Sequence, residues 1–197
     1  MTRGEGSLFV ATRTGVAVAA VPVRAAGQPA PTWWAHHCGV AWAATWLTVR
    51  GHDFLGARQV LEDARYAGKI SWRDRRGYNT SSHRPDLVAR TGRAGVAIEV
   101  ELAKKSAERL RAILWHYAIW RSTKGGAVIY VCADDELCQR VRTVGKDVGL
   151  PPDGGWLRVE LLETIKAQAC AGYEAAKSER LSRPSAAPRP MLAVDGG

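Results

Sequence analysis

The stretch His83-Arg84-Pro85-Asp86-Leu87-Val88-Ala89-Arg90-Thr91-Gly92-Arg93-Ala94-Gly95-Val96-Ala97-Ile98-Glu99-Val100-Glu101-Leu102 decides how this chain is read. Two apolar runs of strand length flank a turn signal at Thr91-Gly92, so residues 84–90 and 96–102 are expected as neighbouring strands. Side chains two apart on a strand leave the same face. Glu99 and Glu101 therefore share one face, while Val96, Ile98, Val100 and Leu102 take the other. Asp86 follows Pro85 on the first strand. At a solvated edge, acids alternating with aliphatics are ordinary surface. On a sheet covered by helices, the same carboxylates repel one another and cost desolvation free energy. A divalent cation is the usual compensation, because hard cations take oxygen ligands.

The neighbouring elements imply that the sheet is covered. Residues 34–49 read as an apolar helix with Gly51 as its stop signal. Residues 54–66 read as a second helix, with Leu55, Val60 and Leu61 on its apolar face. A short strand is expected at 69–72, and the polar run 73–82 as a loop or hairpin tip. Beyond the acids, residues 104–121 form an amphipathic helix with Leu110, Ile113, Leu114 and Tyr117 on one side, broken by Gly125-Gly126. Residues 127–132 are an apolar run of the kind found in buried parallel strands. Asp134 opens a further helix to about residue 148. A turn at 151–155 leads to a last strand at 156–162. Helices between the late strands require right-handed crossovers onto one sheet. The expected class is α/β: a three-layer core with a mixed central sheet flanked by helices.

Residues 1–31 read as an N-terminal ribbon and linker, with a strand pair at 7–23 turning at Thr14-Gly15. The core is expected at 32–168. Residues 169–197 read as a helix end and a disordered tail containing Pro184, Pro188 and Pro190. With 46% apolar residues and eight tryptophans, the 197-residue chain is a folded globule rather than a disordered polycation. No run approaches the ~20 apolar residues of a membrane span, so no membrane partner and a cytoplasmic location are expected. None of Cys38, Cys132, Cys138 and Cys170 has the spacing of a zinc or redox motif, so all are read as free thiols. The net charge of +9 suits a polyanionic partner, nucleic acid being the commonest; the plainer alternative is that it only maintains solubility.

The motif from His83 to Ser106 resembles the PD-(D/E)XK nuclease superfamily, in which a Pro-Asp on one strand pairs with an acidic-x-Lys triplet on the next. Residues 84–117 are more narrowly similar to replication-relaxation proteins of actinobacterial plasmids, through Asp86, the run Glu99-Val100-Glu101-Leu102, Lys105-Ser106, Arg109 and Tyr117. The resemblance spans residues 34–162. It implies a restriction-endonuclease-like core that hydrolyses DNA phosphodiester bonds. Asp86, Glu99 and the Val100 carbonyl would hold Mg²⁺ or Mn²⁺, and Glu101 would complete the shell or orient water. One departure is explicit: Glu101 stands where the superfamily has its lysine, so Lys105 or Lys104 would have to supply the ammonium. The alternative is a catalytically silent DNA-binding accessory protein for plasmid replication or relaxation on the same fold. The family often begins with a winged helix-turn-helix, of which residues 8–18 resemble only the closing wing.

Other residues carry two readings each. Glu62 could add a metal ligand from the helix before the sheet, or pair at helical spacing with Arg58 or Arg65. His83 and Arg84 adjoin the acids and suit a scissile phosphate, or serve structure. Arg109 could touch phosphate or pair in solvent. Arg73, Arg75 and Arg76, with Tyr78, make a nucleic-acid contact surface or a solvated loop. DNA is the expected partner, with a homodimer or a protein partner in a DNA-processing complex as further options.

Overall fold

The computed structural model describes residues 33–91 and 95–182. The expected ribbon and linker at 1–31, the Gly92 of the expected turn, and the tail beyond residue 182 lie outside the described residues. The elements in chain order are α1 (Trp34–Val49), β1 (Phe54–Leu55), α2 (Ala57–Glu62), a 3-10 turn (Ala64–Tyr66), β2 (Gly68–Asp74), β3 (Gly77–His83), β4 (Leu87–Ala89), β5 (Val96–Glu101), α3 (Ala107–Lys124), β6 (Ala127–Cys132), α4 (Asp135–Asp147), a 3-10 turn (Pro152–Gly154), β7 (Leu157–Leu161) and α5 (Leu162–Ser182).

Five strands form one mixed sheet in the order β1-β4-β5-β6-β7. β4 runs antiparallel to both β1 and β5, whereas β5, β6 and β7 are parallel. Alternation along the strands sorts side chains to two cores. Ile98, Val100 and Val131 meet Ala43, Trp46 and Leu47 of α1 and Ile165 and Ala169 of α5. Ala97, Val128, Tyr130 and Cys132 meet Leu110, Ile113, Leu114 and Tyr117 of α3 and Leu137, Cys138 and Val141 of α4. The chain is therefore α/β, with a mixed five-stranded sheet flanked by helices on both faces.

Local chemistry explains the boundaries. Ser106 caps α3 by accepting the Arg109 N–H, and Asp134 caps α4 by accepting the Leu137 N–H at 2.8 Å. Gly125 ends α3 at φ +71°, a conformation that a side chain disfavours. All four cysteines are free, and no helix among the described residues is long and apolar enough to cross a membrane.

Two expectations need correction. Residues 54–66 are not one helix. Phe54 and Leu55 join the sheet edge, Gly56 starts a six-residue helix, and Asp63 leaves helical geometry to cap the next turn by accepting the Arg65 N–H. Leu61, expected on an apolar face, is 61% exposed. For the run 73–82 the hairpin alternative holds: β2 and β3 pair antiparallel over seven residues each, closed at Arg75-Arg76. Its inner face packs on α3 through Ile70 and Trp72. The expected strand at 84–90 is shortened to Leu87–Ala89, although Asp86 already donates its N–H to the Ile98 carbonyl at 3.0 Å.

Candidate active site

The site is built on the last residues of β5. Glu99 and Glu101 point to the α3 side and are buried, at 7% and 4% exposure. Ile98 and Val100 fill the opposite core. Asp86 enters from the neighbouring chain segment, and its Oδ2 accepts the Val100 N–H at 2.8 Å. That bond fixes Asp86 at the end of the β4–β5 pair, level with the residue between the two glutamates. Atoms of residues two apart on a strand point the same way. The Val100 carbonyl thus faces the same side as the Ile98 carbonyl that meets Asp86 N.

Each acid has its own partner in the protein. Asp86 Oδ1 lies 3.1 Å from His36 Nε2 of α1. Glu99 Oε1 accepts from the Tyr117 hydroxyl of α3 and lies 3.1 Å from His83 Nε2. Lys105 pairs with Glu101. Electrostatics follow from these contacts. The hydrogen bond to Asp86 raises the His36 pKa above its ordinary value. Burial raises the Glu101 carboxyl, and the Lys105 ammonium opposes that rise. Burial lifts the Tyr117 and Tyr130 hydroxyls well above their ordinary range, with Glu99 adding to both.

The other sequence-predicted residues divide. His83 reaches the cluster. Arg84 is half-buried, and its Nε has no hydrogen-bond partner. Lys104 is exposed and pairs with Glu136 at 2.5 Å, away from the acids. Arg109 lies over the Trp72 ring at 5.5 Å. Arg73, Arg75 and Arg76 are exposed on the hairpin. Glu62 is exposed on α2, and none of the ion pairs found among the described residues joins it to the acids or to Arg58 or Arg65. Arg65 instead pairs with Asp63 at 2.6 Å.

Two contributors carry no local signal in the sequence, and a third, Tyr117, is legible only as a motif residue. His36 carries no local sign of its role, because its partner Asp86 lies 50 residues away. Tyr117 was placed correctly on the inner face of its helix, but its hydroxyl was not assigned to Glu99. Tyr130 lies across the β5–β6 ladder from Glu99, and its buried hydroxyl has no partner.

That orphaned hydroxyl and the all-oxygen acid set suit a hard cation with bound water. Asp86, Glu99, Glu101 and the Val100 carbonyl are the groups that would hold it. Among the described residues, no three metal-binding side chains already stand at ligand spacing. Each carboxylate is instead met by a protein partner: His36, Tyr117 with His83, or Lys105. No family model, curated protein or solved structure matches the chain.

Proposed function

We propose that this chain is a metal-dependent, restriction-endonuclease-like protein that hydrolyses DNA phosphodiester bonds in plasmid or mobile-element processing within the cytoplasm. The observation that carries the reading is the placement of Asp86, Glu99 and Glu101 at one buried strand end with a lysine ammonium against them. When bound, Mg²⁺ or Mn²⁺ would supply a water of lowered pKa and neutralise phosphate charge. The protein's own groups have definable roles. The Val100 N–H and His36 orient Asp86, while Tyr117 and His83 hold Glu99. Lys105, paired with Glu101, would stand in for the lysine whose usual place Glu101 occupies. Its ammonium stands where negative charge on a phosphate can be stabilised.

A second reading is favoured by one specific observation. Every carboxylate already has a protein donor, so the cluster is internally compensated. On this reading the protein is a catalytically silent DNA-binding accessory, since a fold does not fix a function. The discriminating experiment is Mn²⁺ titration followed by nicking of supercoiled plasmid. Saturable binding and cleavage, both lost in Asp86→Ala and Glu99→Ala, support hydrolysis. Absence of cleavage of supercoiled, linear and single-stranded DNA with either metal replaces it with the accessory reading.

A further inference from the structure

Among the described residues, one face of the β2–β3 hairpin has no packing partner. Its inward residues include Ile70 and Trp72, which pack on α3. Its outward residues pair across the strands as Lys69 with Ser82, Ser71 with Thr80, and Arg73 with Tyr78. All six are exposed, Tyr78 at 76%. Arg75 and Arg76 form the exposed tip. The single acid of the ribbon, Asp74, turns inward, and its Oδ1 accepts the Arg76 N–H at 2.8 Å.

These cations differ from many on the rest of the surface. Lys104, Arg111, Arg158 and Lys166 are each satisfied by a carboxylate. None of the ion pairs among the described residues involves Lys69, Arg73, Arg75 or Arg76. Four unpaired cations, one exposed tyrosine and a row of hydroxyls thus share a surface two strands wide. A two-stranded ribbon fits the DNA major groove, which is about 12 Å wide. Arginines at the rim match phosphates, and the hydroxyls and Tyr78 can meet phosphate oxygens or base edges.

We propose that the outer face of the β2–β3 ribbon is a duplex-DNA docking surface, seated in the major groove with Arg73, Arg75 and Arg76 on the backbone phosphates. The inference rests on the reading of DNA as the partner, shared by both proposed functions, and adds which surface holds it and in what form. The ribbon also joins that surface to the acid cluster. His83 ends β3 beside Glu99, and the six steps back to Gly77 span about 20 Å. Substitutions at the tip therefore lie far from the acids.

The test measures binding of the full chain to a 20-base-pair duplex by fluorescence anisotropy in EDTA, so that it does not depend on metal chemistry. The triple variant Arg73→Ala/Arg75→Ala/Arg76→Ala should bind about tenfold or more weakly near 0.1 M salt. Its slope of log K against log salt should be shallower by about 2.7, the loss of three phosphate contacts. The triple lysine variant should retain most of the slope. Thr80→Glu, which leaves the tip intact, should also weaken binding. Unchanged affinity and slope in the alanine variant overturn the proposal. So does an equal loss on single-stranded DNA of the same length, which would indicate a strand-binding surface, or absence of duplex binding by wild type at low salt. Failure to cleave DNA would sink the hydrolysis reading and leave this one standing; failure here with cleavage intact would do the reverse.

Discussion

The Val100 N–H donates to Asp86 Oδ2 at 2.8 Å, which ties the acid preceding β4 to the residue between the two acids of β5. The bond extends the β4–β5 pairing by one side-chain contact, so Asp86 is held by the sheet rather than free on a loop. Asp86→Ala should leave that N–H without its acceptor and His36 without its anion. A stability loss of about 1–3 kcal/mol is expected in urea unfolding. Metal-dependent cleavage should vanish while DNA affinity stays similar or rises, because removing a carboxylate relieves repulsion with phosphate. Retained cleavage would remove Asp86 from the site.

Tyr117→Phe deletes the buried hydroxyl that donates to Glu99. Glu99 then keeps His83 alone as a side-chain partner, and stability should fall by about 1–3 kcal/mol. The same change frees a carboxylate for a cation. Mn²⁺ should therefore bind more tightly to the variant than to wild type, as read by calorimetry. Equal or weaker binding would count against Glu99 as a ligand.

The two adjacent lysines should behave differently. Lys105 pairs with buried Glu101, whereas Lys104 pairs with exposed Glu136. Lys105→Ala should destabilise by about 1–3 kcal/mol, because Glu101 is left buried and unpaired. It should also slow cleavage by a factor on the order of a hundred or more. Lys104→Ala should change stability by less than about 1 kcal/mol and leave the rate near wild type. The opposite pattern would reassign the ammonium.

A pH dependence follows from His116. Burial, then His83 and Lys124, lowers its pKa below the ordinary 6.5. A depressed folded-state pKa contributes stability that is present above the unfolded value and lost as pH falls through the folded one. Wild type should thus lose stability on acidification below about 6.5, and His116→Gln should flatten that part of the profile. Titration by NMR should place the His116 midpoint below 6.5; a midpoint at or above it contradicts the geometry.

Legibility followed length and periodicity. α1, β5, α3, β6, α4 and β7 were visible because each carries an apolar face or run matched to its own period. Residues 54–66 misled because Leu55, Val60 and Leu61 punctuate a polar run of helix length, while the breaks at Gly56 and Asp63 come from a strand edge and a side-chain cap. β3 was unreadable as a strand for a different reason. Tyr78 to Ser82 have no apolar face, and they are extended only because β2 lies alongside. In the site, the chain order of Asp86, Glu99 and Glu101 was plain. What sequence could not supply was distance across the fold: His36 against Asp86 depends on α1 crossing close over β5. Gly39 permits that approach, since a Cβ there would stand 2.8 Å from Val100 Cγ1.

A sheet of only two strands keeps one row of backbone N–H and C=O groups open on each outer side, and such rows template pairing with another chain. Among the described residues no strand pairs with either outer side of the β2–β3 ribbon, and β3 carries few apolar side chains to oppose or direct such pairing. Charge is the remaining protection, because a second copy aligning edge to edge in parallel would bring its own Arg75 and Arg76 beside these. The arginines that suit a polyanion are also gatekeepers against strand addition. Neutralising them should make the chain more prone to concentration-dependent aggregation, even where the fold itself is untouched.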